Sequence, residues 1–185
     1  PLISWQDRRG QEDVARFEAA AERIKTITGL RLSPHYGMGK LRWCLQHVDA
    51  VRRHRRDGDL VGAPLSSFVI RHICGRAGWS VDPVNASRTL LMDVRTAAWS
   101  QELLTLFELS DALLPEIEPC KSPFGEVEVA GHGVPLLVST GDQAAALFCA
   151  GEPEIATAFV NIGTGAFVQA LTGDEPVVDP GLLSS

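Results

Sequence analysis

The chain has 185 residues, 45% hydrophobic and 22% charged, with Lys+Arg 17 against Asp+Glu 23 for a net charge of −6. These values describe one folded domain, or one domain and part of another, and they exclude an intrinsically disordered chain. The acidity, with no basic cluster larger than Arg52 to Arg56, argues against nucleic-acid and anionic-membrane partners and leaves small molecules, proteins or a homo-oligomer.

From Gln11 to Thr28 the apolar residues Val14, Phe17, Ala21, Ile24 and Ile27 recur at steps of three and four, which predicts one amphipathic helix stopped by Gly29. Its other face, Glu12, Asp13, Arg16, Glu22 and Lys25, reads as solvated. A second helix, Met38 to His47, follows the Ser33-Pro34 turn and sends Leu41, Trp43, Cys44 and Leu45 toward the core. Asp49 to Asp59 is dense in charge, lacks interleaved aromatics and reads as a solvated helix end. Pro64 to Cys74 is an apolar helix (Leu65, Phe68, Val69, Ile73) stopped at Gly75, and Ala98 to Glu108 another, with Ser100 as N-cap and Leu103, Leu104 and Phe107 facing inward.

The last third changes character. Val127 to Val129 and Pro135 to Ser139 read as strands, and Gly141-Asp142-Gln143 opens a helix over Ala144 to Ala150. Two further strands, Ala158 to Ile162 and Ala166 to Leu171, flank Gly163-Thr164-Gly165 as a hairpin. Helices first and strand-turn elements after them predict an α/β architecture.

The longest apolar run, about Ala144 to Gly151, is far short of the roughly 18 residues of a membrane span. No basic-then-apolar leader precedes Trp5, so a cytoplasmic setting is expected. The chain opens at Pro1 without a methionine and closes just after a strand pair, which reads as an internal fragment. Cys44, Cys74, Cys120 and Cys149 are scattered and predict reduced, mostly buried thiols without a structural metal; Cys44 and His47 share a helix face.

Three places could carry chemistry. Asp142 sits at a strand-to-helix corner, where backbone N–H groups keep a carboxylate ionised; it is either a base or simply the N-cap of its helix. The glycines around Thr164 permit close approach of backbone donors to an anion, with a plain hairpin as the alternative. Trp5-Gln6-Asp7-Arg8-Arg9 joins an indole to polar donors, a combination suited to the C–H face and hydroxyls of a polyol, or else a helix entry with an ion pair. Asn85-Ala86-Ser87-Arg88-Thr89 reads as a structured turn.

In order, these pieces resemble the carbohydrate kinases of the FGGY type, glycerol kinase and its relatives among them. The resemblance rests on Trp5 to Arg9, Gly29-Leu30 with Pro34, Lys40 to Trp43, Asp82 with Asn85 to Thr89, Leu114 to Ile117, Gly125, Gly141 to Phe148, and Gly163 to Gly165. It implies an actin-like fold of two ribonuclease-H-like domains closing on a sugar or polyol and Mg-ATP. Residues 1–152 would then be most of the sugar-binding domain and 153–185 the first strands of the ATP-binding one. By the same resemblance Asp142 is the catalytic base and holds Mg²⁺ through water, while Trp5, His35 and Gln143 contact the substrate. Gly163, Thr164 and Gly165 approach the ATP phosphates.

The family's leading Asp-x-Gly-Thr phosphate loop and its adenosine-binding half have no counterpart here, so the resemblance implies part of a sugar pocket without a complete ATP site. His35 stands where the pattern offers a tyrosine, and Leu65-Ser66-Ser67 where it offers Asp followed by Ser or Thr. A second reading is a diverged, non-catalytic carbohydrate-binding or interaction module.

Overall fold

The computed structural model describes residues 1–155, 157–163, 165–173 and 175–184. The expected helix from Gln11 to Thr28 is three pieces: α1 (Gln11–Ala15), a 3-10 turn (Glu18–Ala20) and α2 (Ala21–Thr28). Tertiary contacts break it. Asp13, expected in solvent, turns inward to Arg42 at 2.5 Å, and Phe17 meets Phe107 edge-on at 4.8 Å. The tight turn then re-aims the chain so that Ile24 and Ile27 reach the same core. Lys25, also expected in solvent, is buried and donates to the Pro180 carbonyl at 2.6 Å. Gly29 ends α2 at φ 73°, the left-handed cap that glycine adopts without strain.

Helix α3 (Gly37–His47) lies close to its expected bounds, and α4 (Asp49–Asp57) makes the charged stretch a helix of its own rather than a helix end. Val51 alone of α4 is buried. In α5 (Leu65–Ile73) the apolar stripe points outward: Leu65, Phe68, Val69 and Ile73 are exposed, while Ser67 and Ile70 face in. The chain just after the helix approaches Gly125 closely, since a Cβ on Gly125 would lie 2.8 Å from that of Cys74. The buried hydroxyls of Ser66 and Ser67 have no hydrogen-bond partner.

Strand β1 (Ser80–Val81) leads into α6 (Pro83–Ser87), and β2 (Met92–Asp93) pairs antiparallel with β3 (Ala98–Trp99). The first three residues of the expected Ala98 to Glu108 helix are therefore strand and cap. Helix α7 (Gln101–Leu106) follows, with Ser100 Oγ accepting from the Leu103 amide as expected. Strand β4 (Glu116–Ile117) runs parallel to β1.

The expected short strands extend into a long hairpin, β5 (Lys121–Val129) with β6 (His132–Val138), turned by Ala130 and Gly131 at φ 50° and 81°. Two consecutive positive φ values are those of a tight hairpin turn. Helix α8 (Asp142–Ala146) is shorter than expected and starts at Asp142 itself. Strands β7 (Ala158–Ile162) and β8 (Ala166–Ala170) pair as the expected hairpin.

The mixed α/β expectation holds. The main core joins Val14, Ile24, Ile27, Leu30, Met38, Leu90, Leu91, Leu103, Leu104 and Phe107. Of the four cysteines only Cys44 is buried; Cys74 and Cys120 are half-buried, Cys149 is exposed, and all are free thiols. No helix among the described residues is long and apolar enough to cross a membrane.

Candidate functional site

The Trp5 turn is held by its own charges. Asp7 accepts from the Arg9 amide and Nε at 2.9 Å each and from its Nη2 at 2.6 Å. Those hydrogen bonds hold the Asp7 carboxyl at about 2, below its ordinary 3.8. The Arg9 guanidinium also lies 4.7 Å from the Trp43 ring on α3, within cation–π range. Gly10 lets the backbones meet, since a Cβ there would stand 2.6 Å from the Gly39 carbonyl.

Lys40, one turn into α3, reaches back to the loop before the helix. Its Nζ donates to the carbonyls of Pro34 at 2.5 Å, His35 at 2.9 Å and Tyr36 at 3.5 Å. Burial pushes its pKa down, against the attraction of Asp7. The loop so held sets the His35 ring against Trp5, with centroids 5.7 Å apart and planes tilted by 32°. Both rings face solvent, and Trp5 is 65% exposed. The structure thus brings Trp5 and His35 together on one open wall.

The second group gathers at the corner between β6 and α8. Asp142 is the first residue of α8 and Gly141 the N-cap, so the capping role read from the sequence falls to Gly141, with no side-chain cap bond. The Asp142 side chain is exposed, and its Oδ1 accepts from the Gln143 amide at 2.7 Å. Its Oδ2 accepts no hydrogen bond among the described residues. Gln143 turns to the hairpin, where its Oε1 accepts from Asn161 Nδ2 at 3.4 Å. Two residues on, Gly163 donates its amide to the Gly165 carbonyl at 2.8 Å and closes the turn; Thr164 lies outside the described residues.

No hydrogen bond or ring contact joins Trp5 or His35 to Asp142 among the described residues, but short steps connect them. The amides of Gly37 and Met38 donate to the carbonyls of Arg88 and Thr89, just past the C-terminal end of α6. At its other end Asp82 accepts from Ser139 Oγ, at the close of β6. The five residues of α6 span about 7.5 Å, so the His35 loop and the Asp142 corner are anchored a short distance apart.

A cleft of 310 Å³ lies elsewhere, lined by Arg9, Glu12, Asp13, Arg16, Trp43, Gln46 and His47. Arg9 and Arg16 there already pair with Asp7 and Asp13, so this cleft offers a ligand less than the exposed Asp142 carboxylate does. Groups of three or more His, Cys, Asp or Glu side chains that could hold a metal ion are absent among the described residues. A lone carboxylate still suits Mg²⁺, which keeps several waters and takes few protein ligands when phosphates are present.

Lys40, Asp82 and Ser139 carry positions that sequence reasoning did not assign. Asp82-Pro83 followed by Asn85 is a legible helix start. Nothing in the sequence pairs Asp82 with Ser139.

Comparison with known proteins places the chain in a family. The chain is 37% identical over 175 residues to a glycerol kinase of Methylibium petroleiphilum, covering 92% of this chain and 35% of that protein. It is 36% identical over 181 residues to glycerol kinase 1 of Pseudomonas aeruginosa, covering 96% and 37%. Among solved structures, Plasmodium falciparum glycerol kinase with ADP superposes with a TM-score of 0.84 at 28% identity, over 96% of this chain and 36% of that one. A ligand-bound xylulose kinase from Lactobacillus acidophilus, at 20% identity and a TM-score of 0.74, shares the fold over 97% of this chain and 37% of its own. The chain thus spans little more than a third of the length of these relatives. With residues 1–149 matching the model of its N-terminal domain, the chain belongs to the FGGY family of carbohydrate kinases.

Proposed function

We propose that this chain supplies the sugar-binding part of a longer cytoplasmic kinase that transfers the γ-phosphoryl group of ATP to a hydroxyl of a sugar or polyol. The observation that carries the reading is the exposed Asp142 carboxylate at the β6–α8 corner, tied through α6 to the loop that sets His35 against Trp5. Trp5 offers its face to the polyol C–H groups, and His35 and Gln143 offer hydrogen bonds to its hydroxyls. Asp142 Oδ2 takes the hydroxyl proton as the oxygen bonds to the γ-phosphorus and the bond to the ADP oxygen breaks. Phosphoryl transfer depends on positioning and charge neutralisation, and one oriented carboxylate meets the first need.

Mg²⁺ would be held near Asp142 through water and would neutralise phosphate charge. Gly163, Thr164 and Gly165 would offer the hairpin backbone to the phosphates. Residues 1–152 belong to an actin-like sugar-binding domain and 153–185 begin the ATP-binding one, a division that the match over residues 1–149 supports. Glycerol leads the substrates to try, because the relatives compared above at 36% and 37% identity are glycerol kinases.

The test is a thermal-shift and ADP-release screen of the complete kinase against glycerol, pentuloses and hexuloses. One of these should raise the melting temperature by mass action and drive ADP release. The 185-residue chain alone should turn over none of them. Polyol-dependent turnover by the isolated chain at about 1 per second or more, an ordinary enzyme rate, overturns the division of labour. Absence of both binding and turnover in the complete protein overturns the kinase reading.

A further inference from the structure

Asp142 is the residue on which the proposed reaction turns, yet its own side chain has little to hold it. Among the described residues its side chain accepts one hydrogen bond, from the next amide in the chain, and α8 is five residues long. The position of the carboxylate therefore depends on the backbone of the corner Ser139-Thr140-Gly141, where Thr140 hydrogen-bonds the Cys120 thiol and Ser139 is the buried residue.

Ser139 is buried at the end of β6. Its amide donates to the Cys120 carbonyl at 2.9 Å, tying it to the start of the β5 hairpin partner. Its Oγ donates to Asp82 Oδ2 at 2.7 Å across 57 residues of sequence. Asp82 is fully buried and spends its other acceptor capacity on α6: Asn85 N donates to Oδ1 at 2.9 Å and Asn85 Nδ2 to Oδ2 at 2.8 Å. Gly141 packs over the same helix, where a Cβ would meet Val84 Cγ1 at 3.0 Å. One carboxylate thus caps α6 and grips the corner that presents Asp142.

We propose that Asp82 and Ser139 are positioning residues for Asp142: their hydrogen bond sets the corner that aims the Asp142 carboxylate. The proposal rests on the base role argued above. A displacement of about 1 Å at a reacting group costs as much as a hundredfold in rate, so a buried hydrogen bond that sets this corner has a kinetic signature. Ser139→Ala is the clean probe, because Asp82 keeps both Asn85 donors and α6 keeps its cap.

Two measurements test it. In the 185-residue chain, S139A should speed amide exchange of Gln143 to Ala146 by about tenfold while α2 and α7 keep their protection. In the complete kinase, S139A should lower kcat by about tenfold to a hundredfold with polyol KM within about twofold, and S139T, which keeps the hydroxyl, should retain most of the rate. If Ser139 acts through Asp142, adding S139A to D142N should cost nothing further.

Unchanged kcat in S139A overturns the proposal. So does an equal loss in the D142N background, which would mean that Ser139 acts elsewhere. A folded S139T as slow as S139A overturns it as well. Should D142N itself keep its rate, the base role falls and takes the positioning role with it. An impaired D142N beside an unimpaired S139A removes the positioning role alone.

Discussion

The Trp5 indole and the His35 imidazole face each other at 5.7 Å between ring centroids, although one belongs to the turn before α1 and the other to the loop before α3. Neither reaches the other by local geometry. The contact exists because Arg9 rests on Trp43, Gly10 lies against Gly39, and Lys40 grips the carbonyls of Pro34, His35 and Tyr36.

If this pair forms the polyol wall, Trp5→Leu in the complete kinase should raise polyol KM by about tenfold, the order of one lost stacking face and its hydrogen-bond geometry. The kcat at saturation should change less. His35→Tyr should alter the preference among polyols rather than abolish binding. Steady-state kinetics on both variants checks this, and an unchanged KM in both would remove the wall.

Asp142→Asn should cut kcat by at least about a hundredfold with little change in polyol affinity, because the amide keeps the shape and loses the proton acceptor. Retention of more than about a tenth of the parental kcat, in stopped or continuous ADP-release assays, is incompatible with general-base catalysis at this residue.

Lys40 is buried, and its ammonium is the donor to three carbonyls. Lys40→Met should therefore destabilise the chain by about 1 to 3 kcal/mol in urea unfolding, since three part-buried carbonyls lose the charged donor on which they converge. Lys40→Arg should not restore the loss, because a planar fork cannot converge on three successive carbonyls as an ammonium does. A loss below about 0.5 kcal/mol, typical of surface substitutions, would contradict the role.

The Asp7 carboxyl is held at about 2 by the Arg9 hydrogen bonds, below the ordinary 3.8. A folded value below the unfolded one means that the tether's contribution to stability is complete above 3.8 and fades as pH falls from there through about 2. NMR titration of the Asp7 carboxyl carbon should give a midpoint near 2, and Arg9→Gln should return it toward 3.8. A midpoint of 3.8 in the parent chain would show that the Asp7–Arg9 pair does not hold in solution.

Local chemistry was legible where it depends on neighbours in sequence. The glycine stop at Gly29, the Ser100 cap and the Gly163 to Gly165 hairpin each need only a few adjacent residues, and each stands where the pattern puts it. The colinear motifs likewise pointed to the family that the comparisons bear out. Periodicity failed where distant partners intervene. Asp13 and Lys25 look like solvent-facing charges until Arg42 and the Pro180 carbonyl arrive, and the apolar stripe Leu65, Phe68, Val69 and Ile73 stands exposed while Ser67 and Ile70 of the same helix face in.

The same division runs through the candidate site. Sequence alone singled out Asp142, Trp5 and His35, because residue type and motif order carry that information. Only the tertiary structure decided which of them meet and what holds them. The bond from Ser139 to Asp82 and the grip of Lys40 on its loop form after the chain has folded, when burial removes competing water and makes a single well-placed hydrogen bond decide where a backbone corner rests.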